Sequence, residues 1–217
     1  MTVYAFAGGD APRHVEVPPG ATVVAADGGA RHALALGLRV DLAVGDFDSI
    51  SADDLAALER AGTRIERHPV DKDKTDLELA LDAALALGTD RVVVVGGGGG
   101  RLDHLLGGLL LLASDAYAGL ELDALVGEAT VHVIRAPRVL RGTPGETISL
   151  LALGGPATGV TAEGLVYPLR GETLEPGSTL GVSNTFAAAE ARIATETGVL
   201  LAVRPCSAPS TGRLTTV

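Results

Sequence analysis

Through the first 125 residues, short apolar runs alternate with stretches of helical pattern. Residues 2–7, 22–26, 41–44, 64–67, 91–95 and 122–126 read as strands, the clearest being Arg91-Val92-Val93-Val94-Val95. Compact apolar runs bounded by Gly, Asp or Ser are the mark of buried strands. Between them, residues 28–36 read as a helix stopped by Gly37. Residues 52–61 form a second, with Ser51 as N-cap and Gly62 as stop. Thr75-Asp76-Leu77-Glu78 has the form of a capping box and opens a third helix, ended by Gly88, and a fourth begins near Asp103. Strands alternating with helices predict a parallel sheet with right-handed crossovers.

The texture changes after about residue 127. Short alternating runs follow at 130–135, 146–152, 158–162, 165–169, 178–182, 187–195 and 199–203, separated by Gly and Pro. Closely spaced strands of this kind predict a β-sandwich. The fold expected is therefore α/β: an N-terminal parallel-sheet domain over 1–126, then a C-terminal β-sandwich over 127–205. Residues 206–217, rich in Ser, Thr, Pro and Gly, read as a flexible tail.

Composition narrows the function. The chain of 217 residues is 47% hydrophobic, which argues for a folded core, but only 3% aromatic, so aliphatic packing carries it. A net charge of −10 counts against nucleic-acid backbone and anionic membrane as partners. A single cysteine, Cys206, no Cys/His cluster of zinc spacing and no signal-peptide pattern point to a reducing, cytoplasmic setting. The apolar run near 105–113 is interrupted by Gly107-Gly108 and is too short for a bilayer.

Chemistry concentrates at the strand exits. Gly45-Asp46-Phe47-Asp48-Ser49 follows the third strand, and in extended chain Asp46 and Asp48 would share a face. Two carboxylates about 4 Å apart repel by roughly 4 kcal/mol at an effective dielectric near 20, so such a pair calls for a cation. The competing reading is a solvated turn that caps the next helix. Asp71-Lys72-Asp73-Lys74-Thr75-Asp76 follows the fourth strand. Asp73 is the better ligand there, with Asp71 behind it, whereas Asp76 reads mainly as a first-turn acid favoured by the helix dipole. Lys72 and Lys74 are the only lysines beside fifteen arginines; they suit either a phosphate or a solvated turn. Gly96-Gly97-Gly98-Gly99-Gly100-Arg101 follows the fifth strand and can bring backbone N–H groups and a guanidinium to phosphate, although it matches no Walker A pattern. Asp27-Gly28-Gly29 closes the second strand and reads equally as a ligand acceptor or a helix N-cap. His104 adjoins Asp103 without the spacing of a catalytic dyad, and Cys206 has no visible base beside it.

In this order and spacing, these segments resemble the thiamine pyrophosphokinase family. The match runs from Ala26-Asp27-Gly28-Gly29-Ala30 through the acidic patches to Gly99-Gly100-Arg101-Leu102-Asp103-His104. It continues in Gly164-Leu165-Val166-Tyr167-Pro168-Leu169 and Val182-Ser183-Asn184-Thr185. The resemblance implies pyrophosphoryl transfer from ATP to the hydroxyl of thiamine, giving thiamine diphosphate and AMP, in a homodimer with sites between subunits. It implies Mg²⁺ on Asp46, Asp48 and Asp73, with Asp71 and Asp103 close by and either of them as proton acceptor. Asp27, Gly28, Gly29, Lys72, Thr75, Asp76, Gly99, Gly100 and Arg101 would then line the nucleotide site. Tyr167, Ser183 and Asn184 would lie near thiamine, Tyr167 standing where the family usually has Trp. Its smaller ring still offers a face for cation–π attraction to the thiazolium. The alternatives are a metal-dependent nucleotide hydrolase and a non-catalytic thiamine-sensing module.

Overall fold

In the computed structural model, which describes residues 1–10, 12 and 15–205, the chain divides into two compact units. The first comprises Met1–Leu111 and Gly119–Gly127; the second comprises Leu112–Ala118 and the described residues from Glu128 on. The tail expected over 206–217, Cys206 included, lies outside the described residues.

The first unit holds strands β1 (Thr2–Phe6), β2 (Thr22–Ala26), β3 (Leu42–Gly45), β4 (Arg64–Arg67), β5 (Arg91–Val95) and β6 (Glu121–Val126). They lie in the order β6-β5-β1-β2-β3-β4, every neighbouring pair parallel. Helices α1 (Gly29–Ala35), α2 (Ala52–Arg60), α3 (Asp76–Ala86) and α4 (Leu102–Leu111) connect the strands after β2. β1, β2, β3 and β5 are buried along almost their whole length, as a sheet covered on both faces requires. Tyr4, Phe6, Val23, Ala25, Ala43, Val93 and Val95 form one layer of the core with Ala30, Ala33 and Leu58 of α1 and α2. Ser51 Oγ accepts from Asp54 N at 3.1 Å and Thr75 Oγ from Glu78 N at 3.2 Å, so both expected caps form. Among the described residues no helix is long and apolar enough to cross a membrane.

The second unit is a β-sandwich. Its strands are β7 (Ala129–Ile134), β8 (Arg138–Arg141), β9 (Thr147–Ala152), β10 (Ala157–Glu163), β11 (Leu169–Leu174), β12 (Asn184–Thr185), β13 (Glu190–Ala194) and β14 (Leu200–Arg204). Antiparallel pairing gives one layer in the order β12-β9-β14-β7 and another in the order β11-β10-β13-β8. Ile134, Ile148, Leu150 and Leu200 of the first layer pack with Leu140, Val160, Ala162, Leu174 and Ile193 of the second around Phe186.

Two expected strands do not form. Residues 178–182 are a turn: Val182 N donates to Thr179 O at 3.0 Å, Leu180 N to Ser178 Oγ at 3.2 Å, and Gly181 has φ +96°. Alternating apolar residues there fill a turn closed by a left-handed glycine. At 165–169, only Leu165 bridges to Phe186, and the strand starts at Leu169 and runs to Leu174. Pro168, unable to donate to a ladder, marks that delay. β8 and a short 3₁₀ turn at Asp115–Tyr117 carried no pattern strong enough to be expected.

Candidate active site

The chain steps outward from β1 through β2 and β3 to β4, then returns to the other side of β1 for β5 and β6. The order reverses between β1 and β5, where open α/β sheets bind ligands beyond the carboxyl ends of their strands. Two glycine loops meet there. Gly97 N donates to Gly8 O and Asp10 N to Gly98 O, each at 2.7 Å. A Cβ on Gly9, whose φ is +85°, would sit 2.4 Å from Gly98 O, so this close approach requires glycine. A ring N–H at His32 Nε2, on α1, donates to Gly9 O at 2.8 Å and ties the first loop down.

At the exit of β2, Asp27 adopts φ +42° and is 6% exposed. Gly28 is the N-cap of α1 and no side chain caps it, so the expected N-cap role of Asp27 is not realised. Instead Asp27 Oδ1 is buried without a hydrogen-bond partner.

At the exit of β3 the chain is not extended. Gly45 has φ +141° and Phe47 φ +62°, which separates the two acids expected on one face. Phe47 turns into the core, with the Arg67 guanidinium 5.2 Å from its ring centroid. Asp46 Oδ1 accepts from Asp48 N at 3.3 Å, while exposed Asp48 accepts from Ser49 Oγ at 2.8 Å.

Lys72 bridges the exits of β3 and β4. Its Nζ lies 2.6 Å from Asp46 Oδ2 and 3.2 Å from Asp76 Oδ1. Lys74 turns away along α3 to Asp82 at 2.6 Å and Glu78 at 3.6 Å, so the two lysines do not act together. Asp27, Asp46 and Asp76 each offer a carboxylate oxygen within 4.8 Å of the others. Asp76, expected mainly as a first-turn acid, therefore belongs to a convergent trio. Asp48, Asp71 and Asp73 are exposed and stand outside it. The hydrogen bond from Lys72 holds the Asp46 carboxyl below its ordinary range. Burial raises Asp76, against the pull of Lys72 and with the push of Asp46 and Asp27. Burial opposes the charge on Lys72, yet its bonds to Asp46 and Asp76 raise it overall.

At the exit of β5, Arg101 grips Asp103 through Nη2–Oδ2 at 2.6 Å and Nε–Oδ1 at 3.2 Å. That hydrogen bonding lowers the Asp103 carboxyl to about 2. Such a carboxylate is a weak proton acceptor near neutrality.

In the second unit, Tyr167 is 69% exposed and Asn184 is 2% exposed. Asn184 Oδ1 accepts from Tyr167 N at 3.0 Å and from Thr185 N at 2.9 Å; its Nδ2 donates to Tyr167 O at 2.7 Å. The amide of Asn184 is thus spent on holding the Tyr167 backbone, a role that no local residue pattern announces. Ser183 adopts φ +58° and its N donates to Ser149 Oγ at 3.0 Å.

Comparison with known proteins gives a consistent picture. Residues 19–122 match the family model for the catalytic domain of thiamin pyrophosphokinase, and residues 131–200 match that for its vitamin B1 binding domain. The thiamine pyrophosphokinase of Bacillus subtilis (strain 168) is 29% identical over 172 residues, spanning 75% of this chain and 77% of that protein. A crystal structure of Bacillus subtilis thiamine pyrophosphokinase superposes with TM-score 0.83 at 24% identity, covering 96% of this chain and 100% of that one. The Geobacillus thermodenitrificans thiamin pyrophosphokinase gives 0.77 at 27% identity, covering 97% and 99%.

Proposed function

The chain belongs to the thiamin pyrophosphokinase family, and from that premise we infer that it transfers pyrophosphate from ATP to the hydroxyl of thiamine, yielding thiamine diphosphate and AMP. The alcohol oxygen attacks the β-phosphorus, the bond from that phosphorus to the oxygen of the α-phosphate breaks, and AMP leaves. A loose transition state of this kind asks for alignment and charge stabilisation rather than a strong base.

The observation that carries the reading is the trio Asp27, Asp46 and Asp76, whose oxygens converge at strand exits with Asp27 Oδ1 buried and unpartnered. Hard oxygen donors with excess negative charge fit Mg²⁺. Asp46 with Asp27 and Asp76 would hold it, and Asp48 and Asp73 are the rival pair to set beside Asp46. Bound there, the ion would neutralise triphosphate charge and stabilise the leaving oxygen.

The other roles fall to the chain's own groups. The N–H groups of Gly99 and Gly100, with Arg101 and Lys72, orient the triphosphate, and Thr75 keeps α3 in place through its cap. Asp71 takes the hydroxyl proton, because the grip of Arg101 makes Asp103 the poorer acceptor. Tyr167 offers its exposed face to the thiazolium, with Ser183 beside it and Asn184 fixing its backbone. We further propose a cytoplasmic homodimer whose sites draw on both chains.

Incubation with ATP, Mg²⁺ and thiamine, with products resolved by chromatography, tests the reading. AMP and thiamine diphosphate should appear together. AMP release independent of thiamine would instead mark a nucleotide hydrolase, and thiamine binding without turnover a sensing module.

A further inference from the structure

The carboxylate trio already holds a cation of its own. Lys72 Nζ lies between Asp46 Oδ2 (2.6 Å) and Asp76 Oδ1 (3.2 Å), with the two closest side chains, Lys72 and Asp46, only 13% and 9% exposed. Burial of this degree leaves little room for solvent screening. One ammonium against three carboxylates leaves the cluster under-compensated, and the buried, unpartnered Asp27 Oδ1 is where that deficit shows. A divalent ion coordinated by these oxygens sits about 2.1 Å from each. An ammonium bonded to two of the same three carboxylates competes with the ion for their negative charge and is repelled by it, so metal entry disfavours its staying.

We propose that Lys72 is the internal counter-ion of the metal-free site: its ammonium pairs with two of the carboxylates that the divalent cation will bind, and metal entry displaces it towards the incoming triphosphate. The inference rests on the reading of this trio as the metal site. The side chain is suited to the exchange. Lysine carries a compact charge on a flexible stem, and Lys72 springs from the irregular segment between β4 and α3 rather than from a fixed element. One residue would thus do two jobs in sequence. It keeps the empty carboxylates compensated, and once released it presents a cation to phosphate oxygens. The exchange makes the free protein a weak binder of metal alone and a stronger binder of metal with triphosphate, because only triphosphate gives the displaced ammonium a new partner.

The test is direct metal binding by the full chain without nucleotide, using Mn²⁺ as a paramagnetic probe and Mg²⁺ as its competitor, together with thermal melting in EDTA. Lys72→Met should bind Mn²⁺ at least tenfold more tightly than the wild type. It should melt at lower temperature in EDTA and recover more of that loss on adding Mg²⁺. Lys72→Gln, which keeps a donor for Asp46 without the charge, should show the same tightening and serves if the Met variant folds poorly. Binding of Mn²⁺ with equal or lower affinity in both variants would overturn the counter-ion role and leave the metal site standing. Failure of the wild type and both variants to bind Mn²⁺ at millimolar concentration would overturn the metal site, and the proposal with it.

Discussion

Replacing Asp27 by Asn should make the metal-free protein more stable. The Asp27 side chain lies in a cluster whose three carboxylate oxygens are all within 4.8 Å of one another. At an effective dielectric near 20, each such pair of charges repels by roughly 3 kcal/mol. Asp27 faces two of them, while Lys72 is bonded to Asp46 and Asp76. Removing the Asp27 charge relieves two repulsions and forfeits one longer-range attraction to Lys72. Allowing for the partial exposure of Asp76, the net gain is about 1–3 kcal/mol. Nothing in the backbone opposes the change, because Asn tolerates the left-handed conformation at φ +42° as well as Asp does. For a chain of this size each kcal/mol moves the melting point by about 2–4 °C, so the rise should be roughly 2–12 °C. Scanning calorimetry in EDTA measures it. The same variant should lose most of its stabilisation by Mg²⁺ and most of its turnover. An unchanged or lower melting temperature in EDTA would refute the reasoning, since the trio would then carry no electrostatic strain.

Other outcomes follow from the same geometry. Asp46→Asn should abolish most Mg²⁺-dependent turnover, and Asp76→Asn should match it more closely than Asp73→Asn if the convergent trio holds the ion; the apparent Mg²⁺ affinity of each variant reports this. Tyr167→Ala should weaken thiamine binding by roughly 1–2 kcal/mol, as loss of a desolvated cation–π contact does, whereas Tyr167→Trp should bind as well or better by calorimetry. Burial first, then the charges of Asp123 and Glu16 against that of Arg91, raise the Tyr4 hydroxyl above its ordinary value. A raised folded-state value contributes stability that is full below the unfolded pKa near 10 and is lost as pH climbs through the folded one, so Tyr4→Phe should flatten the stability loss above pH 10.

Most of the first unit was legible because its signals are local. Arg91-Val92-Val93-Val94-Val95 can be little but a buried strand, and Ser51 and Thr75 cap because their oxygens reach an N–H three residues on. The arrangement of the acids was less legible, and for a definite reason. Alternation placed Asp46 and Asp48 on one face, but that rule holds only in extended chain, and Phe47 leaves it at φ +62°. No residue pattern announces a left-handed Phe; its cause is tertiary, the burial of the ring in the core. Asp76 satisfied a local explanation, the helix dipole, which hid its convergence with residues some thirty and fifty positions earlier. In the second unit, Gly181 could have warned that 178–182 turns, since glycine amid an apolar alternation marks a bend.

The site also explains why these acids are tolerated at all. Carboxylates held together without metal or proton cost stability, and a fold selected for stability alone would replace one of them. Here the cost is contained by position. Asp27 is locked by the β2 exit and Asp76 by the capped start of α3, so neither can retreat to solvent without disturbing an element that packs the core. Lys72 offsets part of the repulsion from a segment that can let go. Strain fixed by rigid elements and offset by one displaceable ammonium disposes the site to take a divalent ion. The ion's binding energy is then partly drawn from relief of repulsion already built into the fold, which is preorganisation at the strand exits where the triphosphate has to arrive.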